Sequence, residues 1–272
     1  MGAQVHVPQN SGVTLGHVQW IGRSWRDFEP AERFRTVVNA PDFSLAEAAF
    51  TMSAVVRRAG DDARGVESTS EFDLVEQLAC LDELAAAVET PTSHGVARFL
   101  FGSGRFRGNV TNYQQTENSL LDLVLERGLG IPITLSVLMV EVAGRVGVSL
   151  CGVGLPGHFV VGEIDGVARI PTRFFDPFHG GAEVDAEDCR DLVNRLAGRP
   201  VAIPPECWYP ASGVAIVERM LNNLKAIGTT AVRAGDPSAL LVLRSVMWLR
   251  SCLPTIGESE REEWSRLVAP LN

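Results

Sequence analysis

The chain has 272 residues, 46% of them hydrophobic and 21% charged, with a formal net charge of −9 and a pI of about 5.1. That length can bury a real core, one large domain or one domain with a helical annex, and the composition excludes a disordered chain. The acidic balance argues against a general nucleic-acid binder, which needs a basic surface to displace counterions, and against an anionic membrane surface as partner.

Residues 1–42 are rich in Gly, Pro and isolated polar residues and read as a partly ordered N-terminal arm, with Trp20 and Trp25 as docking points. Helical periodicity starts near Ser44, where Leu45, Ala48, Ala49, Met52, Val55 and Val56 share one stripe, and Ser44 with Glu47 has the form of a capping box. Residues 60–70 read as a polar loop. Phe72, Val75, Leu78, Leu81, Leu84 and Val88 mark a second helix that Pro91 closes. After a loop at 102–108, a third helix is expected from Asn118 to about Arg127, ended by Gly128 and Gly130. Pro132 suits the first turn of a fourth, at 132–146, which is apolar nearly all round and therefore central. Glu141 and Arg145 form an i,i+4 pair on it.

From Val148 the period changes. Residues 148–164 read as two strands joined at Pro156–Gly157, and RFFDPF as a third strand. A helix at 186–197 and a Pro-rich connection at 198–212 follow. Two apolar-periodic helices at about 214–233 and 237–250 come next, with Asp236 as cap and Pro237 at the first helical position of the second. A short helix at 258–268 ends the pattern. The division expected is an arm at 1–42, a main domain at 43–205 and a helical tail at 206–272.

The five cysteines are scattered and form no CxxC pair, so neither a disulfide framework nor a zinc knuckle is readable. No basic-then-apolar segment opens the chain and no apolar run is long enough for a membrane span, so the expected place is the cytoplasm. No cofactor and no metal are expected.

The stretch NVTNYQQTENSLLDLVLERGLGIPITLSVLMVEVAGRVGV, followed by GVGLPGHFVVG and FFDPFHGG, resembles the SirB-one family of bacterial transglutaminase-like proteins. The pieces ENSLL, GIPITLSVL, PGHF and DPFHGG fall in the order and spacing of that family, best over about 105–182. The resemblance implies an α+β fold: a papain-like core with a central helix on an antiparallel sheet, preceded by helices and followed by a helical tail. It also implies that His158 and Asp176 fall on the dyad positions of the wider transglutaminase-like group, whose active members carry a Cys at the start of the central helix. SirB-one proteins generally lack that Cys and have no settled activity.

His158 after Pro156–Gly157 is the candidate general base, and Asp176 would fix its tautomer. Read alone, each has a structural alternative: a His bonding a backbone carbonyl, and an Asp at a strand-end turn. Counting back from Gly147 by the spacing of active relatives reaches Pro132, which carries no nucleophile. A slip of two residues reaches Thr134, in the first helical turn where the dipole favours a developing anion. Thr134 also reads as a buried hydroxyl bonded to the backbone, and Ser136 is a weaker candidate. Cys151 is set aside: if Pro156–Gly157 is a two-residue turn, it stands on the order of 13 Å from His158 at about 3.3 Å per strand residue. His179 could join His158 and Asp176 around a metal, but no clear ligand spacing supports that. Tyr113, Gln114 and Asn118 either cap the third helix or rim a cleft for a peptide or amide.

Two functions follow. In one, the protein is a degenerate, non-enzymatic member whose cleft binds a peptide or protein. In the other, it is an amide, peptide or acyl-bond hydrolase or transferase, with His158 and Asp176 acting on Thr134 or on water.

Overall fold

A computed structural model describes residues 28–66, 72–164 and 170–268; Trp20 and Trp25 lie outside the described residues. Within the segment read as an arm, helix α1 (Glu29–Val38) places Phe34, Val37 and Val38 in the main core. Helix α2 (Leu45–Arg64) starts where expected, with the Ser44 hydroxyl accepting from the Glu47 N–H. It runs past the expected loop start because Arg58–Asp62 and Arg64–Asp61 pairs support its last turns, and Gly65 ends it at φ 65°. Helix α3 (Leu74–Ala86) is capped by Asp73, whose carboxylate accepts from the N–H groups of Val75 and Glu76.

The segment before the central helix differs most from expectation. Helix α4 (Ser93–Ala97) runs into a π-turn over Arg98–Gly102. Strand β1 (Arg107–Gly108) then pairs in parallel with β2 (Leu129–Gly130). The helix expected from Asn118 starts instead as helix α5 at Leu121 and ends at Arg127, after a 3₁₀ turn over Thr116–Ser119. The cause is Asn118 itself. Its side-chain amide donates to the carbonyls of Asn112 and Tyr113, and its Oδ1 accepts from Asn109, a local network that competes with helix formation.

Helix α6 (Pro132–Arg145) opens on Pro132 and is buried over most of its length. It packs on strands β3 (Leu150–Leu155) and β4 (His158–Glu163) of an antiparallel sheet ordered β3-β4-β5-β6, with β5 at Phe174–Asp176 and β6, not foreseen, at Ala182–Val184. The β3–β4 register pairs Leu155 with His158 and Cys151 with Gly162. Gly157 at φ 73° supplies the left-handed residue that a Pro-Gly turn needs. Side chains alternate along these strands. Phe159, Val161 and Phe175 enter the core shared with α6, whereas Val160 and Phe174 join a smaller core with Cys189 and Val193 of helix α7 (Ala186–Ala197). His158 and Asp176 are in phase with this second set.

The last three helices are α8 (Gly213–Arg233), α9 (Ala239–Ser251) and α10 (Glu258–Val268). Helix α9 begins two residues later than expected: Asp236 accepts from the N–H and hydroxyl of Ser238, closing a turn instead of capping the helix at Pro237. Ile216, Val217, Met220, Leu221 and Leu224 of α8 all enter the main core. At about 2 kcal/mol for each large apolar side chain, this face contributes on the order of 10 kcal/mol before chain entropy. That is the size of a whole domain's net stability, about 5–15 kcal/mol. A fragment ending at residue 205 is therefore expected to be insoluble or molten. Circular dichroism and thermal melting of that fragment test this, and a soluble, cooperatively melting product would contradict it.

Candidate functional site

The site grows from the Asp-Pro-Phe-His turn. Antiparallel pairing of β4 with β5 sets Val161 opposite Phe175, which carries the start of β4 past the end of β5. His158 and Asp176 meet there, with His158 Nε2 3.0 Å from Asp176 Oδ2, and both side chains are buried. Pro177 then turns the chain into a 3₁₀ turn over Pro177–His179, where the N–H groups of Phe178 and His179 donate to Asp176 Oδ1. His179 Nδ1 folds back to within 2.7 Å of Asp176 Oδ2, while its ring remains half exposed. The carboxylate of Asp176 thus faces two imidazoles and two backbone donors. Burial alone pushes its pKa up, but the hydrogen bonds and charge interactions of His158 and His179 outweigh this and hold it below the ordinary carboxylate range.

The expected helix-start nucleophile is otherwise engaged. Thr134 is fully buried, and its hydroxyl donates to the Asn118 carbonyl at 2.6 Å and accepts from the Ile131 N–H at 3.2 Å. Ser136 Oγ is buried and bonds no group among the described residues, His158 included. The thiols fare no better. Burial pushes Cys151 up to about 11, and burial together with the nearby charge of Asp176 pushes Cys189 up to about 12. Cys151 also pairs across the sheet with Gly162, four positions along β4 from His158.

The three residues expected at a cleft separate. Tyr113 is exposed and stands edge-on to Phe178 at 5.9 Å between ring centroids, next to His158 at 6.2 Å from the same ring. Gln114 is exposed. Asn118 is not a cleft residue: it is fully buried and holds the 109–113 loop. Gly108 keeps the approach to Phe178 close, because a Cβ there would lie 2.6 Å from the ring.

Two participants were not foreseen in these roles. His179 completes the ring of donors around Asp176. Arg219 of α8 donates one guanidinium nitrogen to the carbonyls of both Leu155 and His158, each at 2.6 Å, and lies over the Phe159 ring. It clamps the two ends of the β3–β4 turn and so fixes the backbone of His158. Only the DPFH spacing could have indicated His179; no local signal marks Arg219, which lies 61 residues from His158.

A core helix on an antiparallel sheet with a His–Asp pair at adjoining strand ends defines a transglutaminase-like architecture. Residues 72–222 match the Transglutaminase-like superfamily, and the chain belongs to it. The match crosses residue 205 into α8 and includes Arg219. The chain is similar to a UPF0162 protein of Xylella fastidiosa, 38% identical over 139 residues that cover 48% of this chain and 47% of that protein. It is also similar to a UPF0162 protein of Pseudomonas aeruginosa, 31% identical over 201 residues that cover 73% of this chain and 68% of that one. F-box only protein 21 of Mus musculus is 27% identical over 134 residues, 47% of this chain and 20% of that protein. The chain thus spans about half the length of the Xylella relatives. No solved structure matches it.

The depressed pKa of Asp176 has a consequence for stability. An unfolded Asp titrates near about 3.9. The folded value is lower, so its contribution is fully present above about pH 4 and is lost as pH falls through the folded pKa. Asp176→Asn should cost about 1–3 kcal/mol at neutral pH, the cost of leaving buried donors poorly paired. It should also flatten the loss of stability below about pH 4. Urea unfolding of both proteins across the acid range measures this. Parallel pH profiles would show that Asp176 does not hold the charge assigned to it.

Proposed function

We propose that this chain is a non-enzymatic, peptide- or protein-binding member of the superfamily, of the SirB-one type, with a cleft beside His158 and Asp176 and no covalent step. The state of Thr134 carries this reading. The one hydroxyl placed to act from the first turn of α6 is already spent on the Asn118 carbonyl and the Ile131 N–H. Releasing it would break both bonds of a fully buried hydroxyl, at about 0.5–1.5 kcal/mol each. The raised thiol pKa values of Cys151 and Cys189 support the same conclusion. Tyr113, exposed beside Phe178, and the exposed Gln114 that follows it in the chain offer an aromatic face and an amide, groups suited to an extended peptide. The similarity to a minor part of F-box only protein 21 supports a module that works inside larger proteins. The five free cysteines favour a reducing, cytoplasmic setting.

One observation favours a second reading. The 3.0 Å contact to Asp176 occupies His158 Nε2, which leaves Nδ1 as the nitrogen able to take a proton from water. An amide or acyl hydrolase acting through water would use the pair in this way.

Selection from a random peptide display library separates the readings. The binding reading predicts peptides that are recovered intact, bind at least about tenfold more weakly to Tyr113→Ala, a loss of about 1.4 kcal/mol or more, and still bind His158→Gln. Cleavage of the selected peptides, or an acyl adduct on Thr134 by mass spectrometry, lost in His158→Gln, would establish the enzymatic reading instead.

A further inference from the structure

The Asp176 carboxylate serves two imidazoles at once, and this arrangement has a use that neither binding nor acid–base chemistry requires. His158, Asp176 and His179 each offer a donor atom within 4.8 Å of the other two. The two nitrogens approach the same oxygen, at 3.0 and 2.7 Å. Two imidazoles and one carboxylate are the donor set of a three-ligand zinc site, with ligand bonds of about 2.0–2.2 Å that place neighbouring donors about 3.4 Å apart around a tetrahedral ion. The spacing here needs only small side-chain rotations to reach that geometry. His179, half exposed, is the side chain free to make them.

The surroundings meet the further requirements of a metal site. Asp176 Oδ1 is fixed by the N–H groups of Phe178 and His179, so the ligating oxygen is oriented from behind. A cavity of about 270 Å³, lined by Asp176, His179, Val184, Asp188, Cys189 and Arg195 among others, gives an ion and its remaining water ligands room beside the cluster. His158 is buried, whereas the exposure of His179 leaves one side of the cluster open to solvent.

We infer that His158, Asp176 and His179 form a binding site for one divalent transition-metal ion of the zinc class, with at least one coordination position left to water or a ligand. This goes beyond the binding reading above and does not depend on it. The proton balance is simple. In the metal-free protein, His158 Nε2 and His179 Nδ1 each direct an N–H at Asp176. An ion bound to those nitrogens shifts the protons to His158 Nδ1 and His179 Nε2, and the carboxylate transfers from the protons to the metal. Metal binding and use of His158 Nδ1 as a base are therefore mutually exclusive, and the ion would switch the pair off as an acid–base centre.

The test is calorimetric titration of Zn²⁺ into the full chain after chelator treatment and removal of chelator. The expected result is one ion per chain, with affinity reduced more than about tenfold in His179→Ala, because loss of an outer-shell partner alone costs about 10–100-fold. His179 is exposed enough for that variant to fold, and circular dichroism verifies it. His94→Ala, at an exposed His paired with Glu183 outside the cluster, should leave the affinity unchanged. Absence of stoichiometric binding, or equal affinity in wild type and His179→Ala, would overturn the inference, as would a loss confined to His94→Ala.

Discussion

The buried carboxylate of Asp176 is the constraint around which the site is built. A charge taken out of water needs compensation by hydrogen bonds or opposite charge. Here the compensation comes from four donors on three kinds of structure: a strand residue, His158; a turn residue, His179; and the backbone N–H groups of Phe178 and His179. Each constrains the others. The 3₁₀ turn keeps its shape because its first N–H groups bond Asp176, and His158 keeps its ring plane because Asp176 takes its Nε2. Removing the carboxylate would loosen strand end, turn and imidazole together.

A second constraint reaches the site from the tail. Arg219 holds the carbonyls of Leu155 and His158, and burial pushes its own pKa down from the ordinary guanidinium value. The strain of burying that cation is offset by two short charge-assisted hydrogen bonds and the Phe159 ring beneath it. Helix α8 is thus part of the scaffold that orients His158, as well as part of the core. Against this ordered surround, the start of α6 has a different occupation. Thr134 bridges the 3₁₀ turn at Asn118 to the first turn of the helix, a structural task for the one hydroxyl in that turn.

How much of this was legible in the sequence depends on range. Interactions a few residues apart could be read: the Ser44 cap, Pro132 at the first turn of α6, the Glu141–Arg145 pair and the β3–β4 register all have local signatures that the structure bears out. The resemblance placed His158 and Asp176 together before any contact could be seen. What the sequence concealed is non-local or ambiguous in type. Asn118 looks like a surface polar residue, yet the amide is buried by a network whose partners lie five to nine residues away in an irregular loop. Arg219 sits on an amphipathic helix where an Arg normally faces water, and only the tertiary packing of α8 against the hairpin reveals its partners. Helix α1 was hidden inside a stretch whose average composition reads as a partly ordered arm, although Phe34, Val37 and Val38 carry a helical spacing.

The central claim is that Asp176 holds His158 in the tautomer with the proton on Nε2, and that no hydroxyl or thiol among the described residues engages the opposite nitrogen. Nitrogen-15 chemical shifts of the His158 ring in metal-free protein, at a pH where the ring carries one proton, measure this directly. The account predicts a protonated Nε2 and an unprotonated Nδ1 in the wild type, a pattern that collapses toward tautomer exchange in Asp176→Asn and is unchanged in Thr134→Val. A proton resident on Nδ1, or a shift of that nitrogen when the Thr134 hydroxyl is removed, would contradict it.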